Sequence, residues 1–329
     1  MRWQWRLLPE VFALSLLASA CQREPKVSDP PPPAAVAHVV VPPVQSAGAP
    51  PAANNLAAQE LTWDYPSTPF GPMQVVVSVP ARKTAAERLP VLFALHGRGE
   101  TRKGPERGAR GWIDDYWLPR ALARLKAPPL TERDLLGMVD RARLGAINQS
   151  LAARPYQGLI VVCPYTPEAL AGKGGFEAAK PFGRFLVDQV LARVQRETPA
   201  LPGPGAVGID GVSLGGRGAL LVGLALPEAF GSVGTLQAAF DREDAEGLAQ
   251  AAKRASAKNP KLSLRLLTSD DDYFLDANRA ISKAFQAAGV RHRFVVVPGV
   301  HDYAFNRGPG VYEMLLHHDR ALRGEPLLD

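Results

Sequence analysis

The chain has 329 residues, 46% of them hydrophobic, and a formal net charge of +6. This length allows a sizeable core. The Lys and Arg residues are scattered along the chain, so the positive charge does not suggest a nucleic-acid-binding protein. Only two cysteines are present, Cys21 and Cys163, which excludes a disulfide framework and a cysteine-rich metal site.

Residues 1–21 have the layout of an export signal. Arg2 and Arg6 precede a short apolar stretch that ends at Cys21, and this stretch is shorter than the roughly 20 residues that a membrane-spanning helix needs. The segment Ala18-Ser19-Ala20-Cys21 resembles a bacterial lipobox, which implies lipidation of Cys21. The following Gln22, where Asp would imply retention in the inner membrane, implies an outer-membrane lipoprotein. A plainly secreted protein is the alternative.

Residues 22–59 are rich in Pro and Ala, with the run Pro30 to Pro33 as the clearest example. Such a segment cannot bury enough apolar surface to offset its ordering entropy, so we predict a disordered linker. The folded domain is predicted to begin at residue 60 and to end at residue 329.

Short β-branched or apolar runs alternate with helical patterns along this domain. The alternation predicts an α/β fold, with a mostly parallel sheet covered by helices on both faces. Residues 98–157 interrupt it with two predicted helix fragments, Trp117 to Leu125 and Leu130 to Ile147, and are interpreted as a cap-like insertion. The predicted strands are Gln74 to Val79, Val91 to Leu95, Leu159 to Val162, Ala206 to Ile209, Val233 to Leu236, Leu262 to Leu267 and Phe294 to Val297.

The sharpest local signal is Gly211-Val212-Ser213-Leu214-Gly215, a G-x-S-x-G pattern between a predicted strand and a predicted helix. A serine at such a tight turn points its hydroxyl above the sheet, and larger side chains two positions away would collide there. Ser213 is therefore the candidate nucleophile.

A serine hydroxyl needs an adjacent base. His301 follows the predicted strand that ends at Val297, so it lies in a loop from which it could reach Ser213. We predict His301 as the base, and we expect His96 to be structural. His317 and His318 lie on the predicted last helix, where we expect them to be exposed.

The base in turn needs a carboxylate to orient it. Asp270, Asp271 and Asp272 follow the strand that ends at Leu267, and the residues alone do not choose among them. Asp241 is a weaker candidate. The oxyanion is expected to bind backbone N–H groups of Leu214 and of the loop Gly97-Arg98-Gly99, where glycine lets the backbone approach closely.

Together these segments resemble the α/β-hydrolase superfamily, and within it the branch that contains esterase D, feruloyl esterases and polyhydroxybutyrate depolymerases. The matching motifs are Leu95-His96-Gly97, Gly211 to Gly216, Ser269 to Phe274 and Pro298 to Asp302. In that branch the catalytic aspartate lies two residues before a Phe, which implies Asp272. Ser269 departs from the branch, where glycine is usual, and residues 98–157 have no clear counterpart.

The resemblance implies a serine hydrolase that cleaves a carboxylic ester through an acyl-serine intermediate, without a metal or organic cofactor. Its substrate is expected to be a small-molecule or polymer-linked ester, and its membrane contact is expected to be the lipid anchor. One alternative is an acyltransferase, thioesterase or peptidase with the same triad. The other is a non-catalytic binding protein on a hydrolase scaffold.

Overall fold

The computed structural model describes residues 57–328. The predicted leader, the lipidation site Cys21 and the predicted linker up to residue 56 lie outside the described residues, so they stay predictions. Within residues 57–328, no helix combines the length and apolarity needed to cross a membrane.

Eight strands form one sheet in the order β1-β2-β4-β3-β5-β6-β7-β8. Strands β3 to β8 run parallel, whereas β2 is antiparallel to both β1 and β4, so the predicted mostly parallel sheet is confirmed. The strands are β1 (Gln59–Tyr65), β2 (Met73–Val79), β3 (Val91–Leu95), β4 (Ile160–Pro164), β5 (Val207–Gly211), β6 (Ser232–Leu236), β7 (Ser263–Asp271) and β8 (Arg293–Val300).

Helices cover both faces of this sheet. Residues of the fully buried central strand β3 alternate between two cores, with Phe93 in one and Leu92 in the other. The first core includes residues of α5 (Gly175–Arg184), α6 (Ala192–Glu197), α7 (Leu214–Ala225), α8 (Asp244–Lys258) and α9 (Leu275–Ala287). The second includes residues of α2 (Gly104–Ala109), α3 (Leu118–Leu125), α4 (Arg141–Ala153), α10 (Tyr303–Phe305) and α11 (Val311–Ala321).

The segment 98–157 lies between β3 and β4 and begins with the short helix α1 (Arg98–Thr101). Its buried side chains, among them Trp112 and Ile147, pack in the same core as Leu92 and Val161 of the sheet. The insertion is therefore part of the domain core, and its first residues reach the carboxyl end of β3.

The predicted helix from Leu130 to Ile147 was wrong at its start. Helix α4 begins at Arg141, where the Asp140 carboxylate accepts a hydrogen bond from the Arg143 N–H at 2.7 Å. Before it, Leu136 and Gly137 have φ of 55° and 76°, and this left-handed backbone cannot continue a helix.

The expectation that His317 and His318 are exposed was also wrong. They are 7% and 0% exposed, because α11 is buried along almost its whole length. His318 Nε2 lies 2.9 Å from Asp210 Oδ2, and Arg265 binds the same oxygen at 2.9 Å. Asp210 lies on β5, three residues before Ser213, so this buried charge cluster lies directly beneath the turn that carries the candidate nucleophile.

Candidate active site

The sequence-predicted site residues lie at the carboxyl ends of neighbouring strands, the edge where parallel α/β sheets gather their sites. Ser213 follows β5, Asp272 follows β7 and His301 follows β8. The loop from Gly97 follows β3, which is hydrogen-bonded to β5. Strand order thus brings these distant segments of the chain to one edge.

Ser213 has an unusual backbone conformation, with φ 57° and ψ −116°. It is held there by its N–H, which donates to the Leu236 carbonyl at 2.9 Å, and by its carbonyl, which accepts from the Arg217 N–H at 2.9 Å. A Cβ on Gly211 would lie 2.5 Å from the carbonyl carbon of Gly215. The flanking glycines are therefore a steric requirement of this turn.

His301 and Asp272 form a hydrogen-bonded pair. His301 Nδ1 lies 2.8 Å from Asp272 Oδ1, and the Asp272 side chain is fully buried. The Thr268 hydroxyl donates to the other carboxylate oxygen, and the Phe274 N–H donates to Oδ1 at 3.0 Å. Because Nδ1 donates to the carboxylate, Nε2 of the neutral imidazole is left as the acceptor that a nucleophilic hydroxyl needs.

The other two aspartates of the run are placed differently. Asp270 and Asp271 are exposed at the end of β7. Asp270 accepts a hydrogen bond from the Gly299 N–H at 2.9 Å, which connects the end of β7 to the end of β8 just before His301. The ladder between β7 and β8 is irregular between Ser269 and Asp271, and such a bulge redirects side chains.

Ser213 and His301 line one cavity of about 320 Å³. The aromatic side chains of Tyr116, Tyr273 and Tyr303 form much of its wall. Tyr273 is 71% exposed, and its ring packs on the His301 imidazole with 4.3 Å between centroids. Of the other aromatic residues in the insertion, Trp112 is completely buried, and Trp117 lies half-buried between Arg120 and Arg307.

Two hydrogen bonds to the Gly97 carbonyl fix the orientation of the peptide between Gly97 and Arg98. The Gly97 carbonyl accepts from His96 Nδ1 at 2.9 Å and from the Thr101 N–H at 3.3 Å. In a trans peptide the N–H points opposite to the carbonyl, so the Arg98 N–H points away from both donors. Gly97, Arg98 and Ser213 all line the cavity. The Arg98 N–H and the Leu214 N–H each begin a helix and have no intrahelical acceptor.

The N–H of Gly97 itself is engaged elsewhere. It donates to the Tyr116 hydroxyl at 3.2 Å, so within this loop Arg98 and Gly99 carry the candidate oxyanion donors, and the Gly97 N–H does not. The contribution of Gly97 is steric, since a Cβ there would lie 3.2 Å from the Tyr116 oxygen and 3.7 Å from the Ser213 Cβ.

His96 is a structural residue of this loop. Its Nε2 accepts from the Thr166 N–H at 2.9 Å while Nδ1 donates to Gly97. Complete burial lowers the pKa of His96 to about 4. The imidazole is therefore neutral near pH 7, and its tautomer is fixed by the two neighbours.

Sequence reasoning missed Gln237, which connects the ends of three strands. Its side-chain amide donates to the Ser269 hydroxyl at 2.5 Å and to the Val300 carbonyl, one residue before His301, at 3.0 Å. Gln237 is buried and has φ 46°, a rare value for this residue type. Ser269, the position that departs from the family pattern, thus supplies a partner for Gln237.

No group of three or more His, Cys, Asp or Glu side chains within residues 57–328 is arranged to hold a metal ion. Cys163, the one cysteine in this range, is a buried free thiol on β4, and burial raises its pKa. The lining of the cavity offers a serine, an imidazole, carboxylates, phenols and backbone N–H groups.

Residues 160–307 match the model of the family described as "Putative esterase", and this segment contains Ser213, Asp272 and His301. No curated protein matches the chain significantly in sequence. The comparison with solved structures, by contrast, finds extensive similarity.

A ferulic acid esterase aligns with a TM-score of 0.60 at 19% identity, covering 82% of this chain and 100% of its own. An S-formylglutathione hydrolase from Staphylococcus aureus aligns with a TM-score of 0.56 at 15% identity, covering 80% and 99%. The feruloyl esterase module from Clostridium thermocellum, solved as an S954A mutant complexed with sinapinate, aligns with a TM-score of 0.54 at 16% identity, covering 81% and 91%. At such identities these likenesses establish the fold.

Proposed function

We propose that this chain, which has the α/β-hydrolase fold and a segment that matches an esterase family model, is a serine esterase that cleaves carboxylic esters through an acyl-serine intermediate on Ser213. The observation that carries the proposal is the hydrogen bond of 2.8 Å between His301 and Asp272. It leaves the imidazole acceptor free in the same cavity as Ser213.

In the first half of the reaction, Ser213 Oγ attacks the ester carbonyl carbon while His301 Nε2 takes the hydroxyl proton. Asp272 holds the imidazole in the required tautomer and stabilises its positive charge. The developing oxyanion accepts hydrogen bonds from the N–H groups of Leu214 and Arg98. His301 then gives the proton to the leaving alcohol as the carbon–oxygen bond of the ester breaks.

In the second half, His301 takes a proton from water as the water oxygen attacks the acyl-serine. The bond between Ser213 Oγ and the acyl carbon breaks, the proton returns to Ser213, and the acid is released. Each half passes through the same oxyanion site, so the N–H groups of Leu214 and Arg98 act twice per turnover.

The experiment is hydrolysis of short-chain aryl esters and labelling by a fluorophosphonate. Wild type should do both, and Ser213→Ala should lose labelling and at least about 10³-fold of turnover. Ser78→Ala, at a half-buried position of β2, is the matched control and should behave as wild type. Retention of labelling by Ser213→Ala would refute the proposal.

The rival reactions that use the same residues differ in the acceptor or in the bond that breaks. An acyltransferase would give a new ester when a competing alcohol is added, and a peptidase would cleave anilides faster than esters. We expect the free acid as the main product. A non-catalytic scaffold would show neither turnover nor labelling.

We also propose that the enzyme is exported and anchored to the outer membrane by a lipid on Cys21. The support is the residue pattern from Arg2 to Gln22 described above. When the full sequence is expressed in bacterial cells, a palmitate analogue should label the mature chain that begins at Cys21, and Cys21→Ala should abolish the label. Cys163→Ala, which removes the buried thiol of β4, should keep it, and a label on Cys21→Ala would contradict the anchor.

A further inference from the structure

A buried carboxylate that the proposed reaction does not use lies at the wall of the cavity. Glu100 is 1% exposed and lines the cavity with Ser213. Two phenols donate to it, one to each oxygen: Tyr116 to Oε2, and Tyr303 to Oε1 at 2.6 Å. The Lys103 ammonium lies 3.5 Å from Oε1, so the charge of this carboxylate is partly balanced.

Tyr116 connects this carboxylate to the oxyanion loop. Because the Tyr116 hydroxyl donates its hydrogen bond to Glu100, the lone pairs of the same oxygen are free to accept a hydrogen bond from the Gly97 N–H at 3.2 Å. Burial and the nearby Glu100 carboxylate raise the pKa of Tyr116 well above 10, which keeps the phenol protonated. The chain of contacts therefore runs from Glu100 through Tyr116 to Gly97.

Both ends of Gly97 are thus held. His96 and Thr101 donate to its carbonyl, and Tyr116 accepts from its N–H. The peptide that follows carries the Arg98 N–H, so its direction depends on these contacts. Losing the Tyr116 contact would let Gly97 rotate, since glycine has little intrinsic conformational preference.

We propose that Glu100 is a positioning residue for oxyanion binding: it holds the Tyr116 hydroxyl against Gly97 and so fixes the direction of the Arg98 N–H. This inference rests on the proposed esterase function. Neither Glu100 nor Tyr116 needs to touch the reacting atoms, and their effect appears in the transition state, where the oxyanion forms.

The decisive variant is Tyr116→Phe, which keeps the ring and removes the acceptor for Gly97. We expect kcat to fall by roughly 10- to 100-fold, the range for a small misplacement of a catalytic group, with KM within about twofold. The affinity of a boronic acid inhibitor, whose tetrahedral adduct mimics the oxyanion, should fall with kcat.

Two further variants frame this result. Tyr156→Phe removes another buried hydroxyl. Tyr156 precedes the amino-terminal end of β4, whereas Ser213 lies at the carboxyl end of β5. This control should keep wild-type kcat and inhibitor affinity. Glu100→Gln keeps one acceptor oxygen for Tyr116, so its loss of kcat should be smaller than that of Tyr116→Phe. In Glu100→Gln, the affinity of the boronic acid inhibitor should fall by the same factor as kcat.

The inference is overturned if Tyr116→Phe keeps kcat within about twofold, or loses kcat without losing boronic acid affinity. If Tyr116→Phe does not fold, Glu100→Gln decides: a parallel fall in kcat and inhibitor affinity supports the inference, and unchanged values overturn it. Absence of ester turnover in both wild type and Tyr156→Phe would instead remove the proposed function, and this inference with it.

Discussion

Asp272 accepts hydrogen bonds from His301 and from two groups of its own strand end, the Thr268 hydroxyl and the Phe274 N–H. These two local contacts fix the orientation of the Asp272 carboxylate independently of the imidazole. The pairing is therefore preorganised on β7, and the imidazole on the loop after β8 completes it.

Asp272→Asn should lower kcat by about 10³- to 10⁴-fold, because the amide can present a donor to Nδ1 and favour the wrong tautomer. Asp271→Asn is the matched control: Asp271 is exposed and adjacent, and its variant should stay within about twofold of wild type. Steady-state hydrolysis of an aryl ester measures both. Equal losses in the two variants would contradict the role of Asp272.

Gly215→Ala should prevent or severely destabilise folding, because a Cβ at Gly215 would lie 2.6 Å from the His96 carbonyl oxygen and overlap the Leu95 carbonyl. Gly247→Ala places the same methyl group on the exposed side of α8, where nothing lies within 4 Å. This control should raise the free energy of unfolding by about 0.5–1 kcal/mol. Thermal and urea unfolding compare them, and a Gly215→Ala protein as stable as wild type would contradict the steric argument.

Stability should fall as the pH drops from about 6.5 toward 4. The pKa of His96 is lowered to about 4 in the folded chain, so in this window the unfolded chain binds a proton that the folded chain does not. The effect of His96 alone would reach about 3 kcal/mol at the low end, from about 1.4 kcal/mol per pKa unit. Burial lowers the pKa of His317 and His318 as well, which adds to the loss.

His96→Asn tests this origin of the pH dependence. The variant should be less stable than wild type at pH 7, yet it should lose less free energy of unfolding between pH 7 and pH 5, because one proton-uptake site is gone. Urea unfolding at the two pH values provides the comparison. Parallel losses in variant and wild type would show that His96 titrates normally.

Asp210→Ala should lower the free energy of unfolding by about 3–5 kcal/mol, the usual effect of leaving a buried charge unpaired. It removes the partner of Arg265 and of His318, and also the carboxylate that accepts the Gly211 N–H at 2.7 Å. Asp276→Ala, in the exposed ion pair with Arg242, should change stability by less than about 1 kcal/mol. Similar values for the two would mean that the cluster under β5 contributes little.

The parts of this structure that follow local rules could be predicted from the sequence. The turn around Ser213 has a strict glycine spacing, and the central strands β3 and β4 are uninterrupted apolar runs, so both the parallel sheet and the candidate nucleophile can be predicted. Strand β1 was missed because its exposed positions carry Glu60 and Asp64, which hide a pattern that only pairing with β2 reveals.

The burial of His318 and the partners of Glu100 could not be predicted, because those partners are distant in the chain. His318 pairs with Asp210, 108 positions away, and Tyr303 donates to Glu100 across 203 positions. The residues adjacent to His318 or Glu100 in the sequence form no pattern that would predict these partners. A polar residue on a helix is usually exposed. The buried cluster around Asp210 and the contacts of Glu100 could therefore be identified only from the three-dimensional structure.

Gly99 packs closely against Tyr303, since a Cβ on Gly99 would lie 3.1 Å from the phenol oxygen. In laboratory evolution of this enzyme, any side chain at residue 99 would therefore need the Tyr303 hydroxyl to move by a few tenths of an ångström. Libraries that vary codons 99 and 303 together would include the pairs in which a smaller residue at 303 leaves room for a side chain at 99.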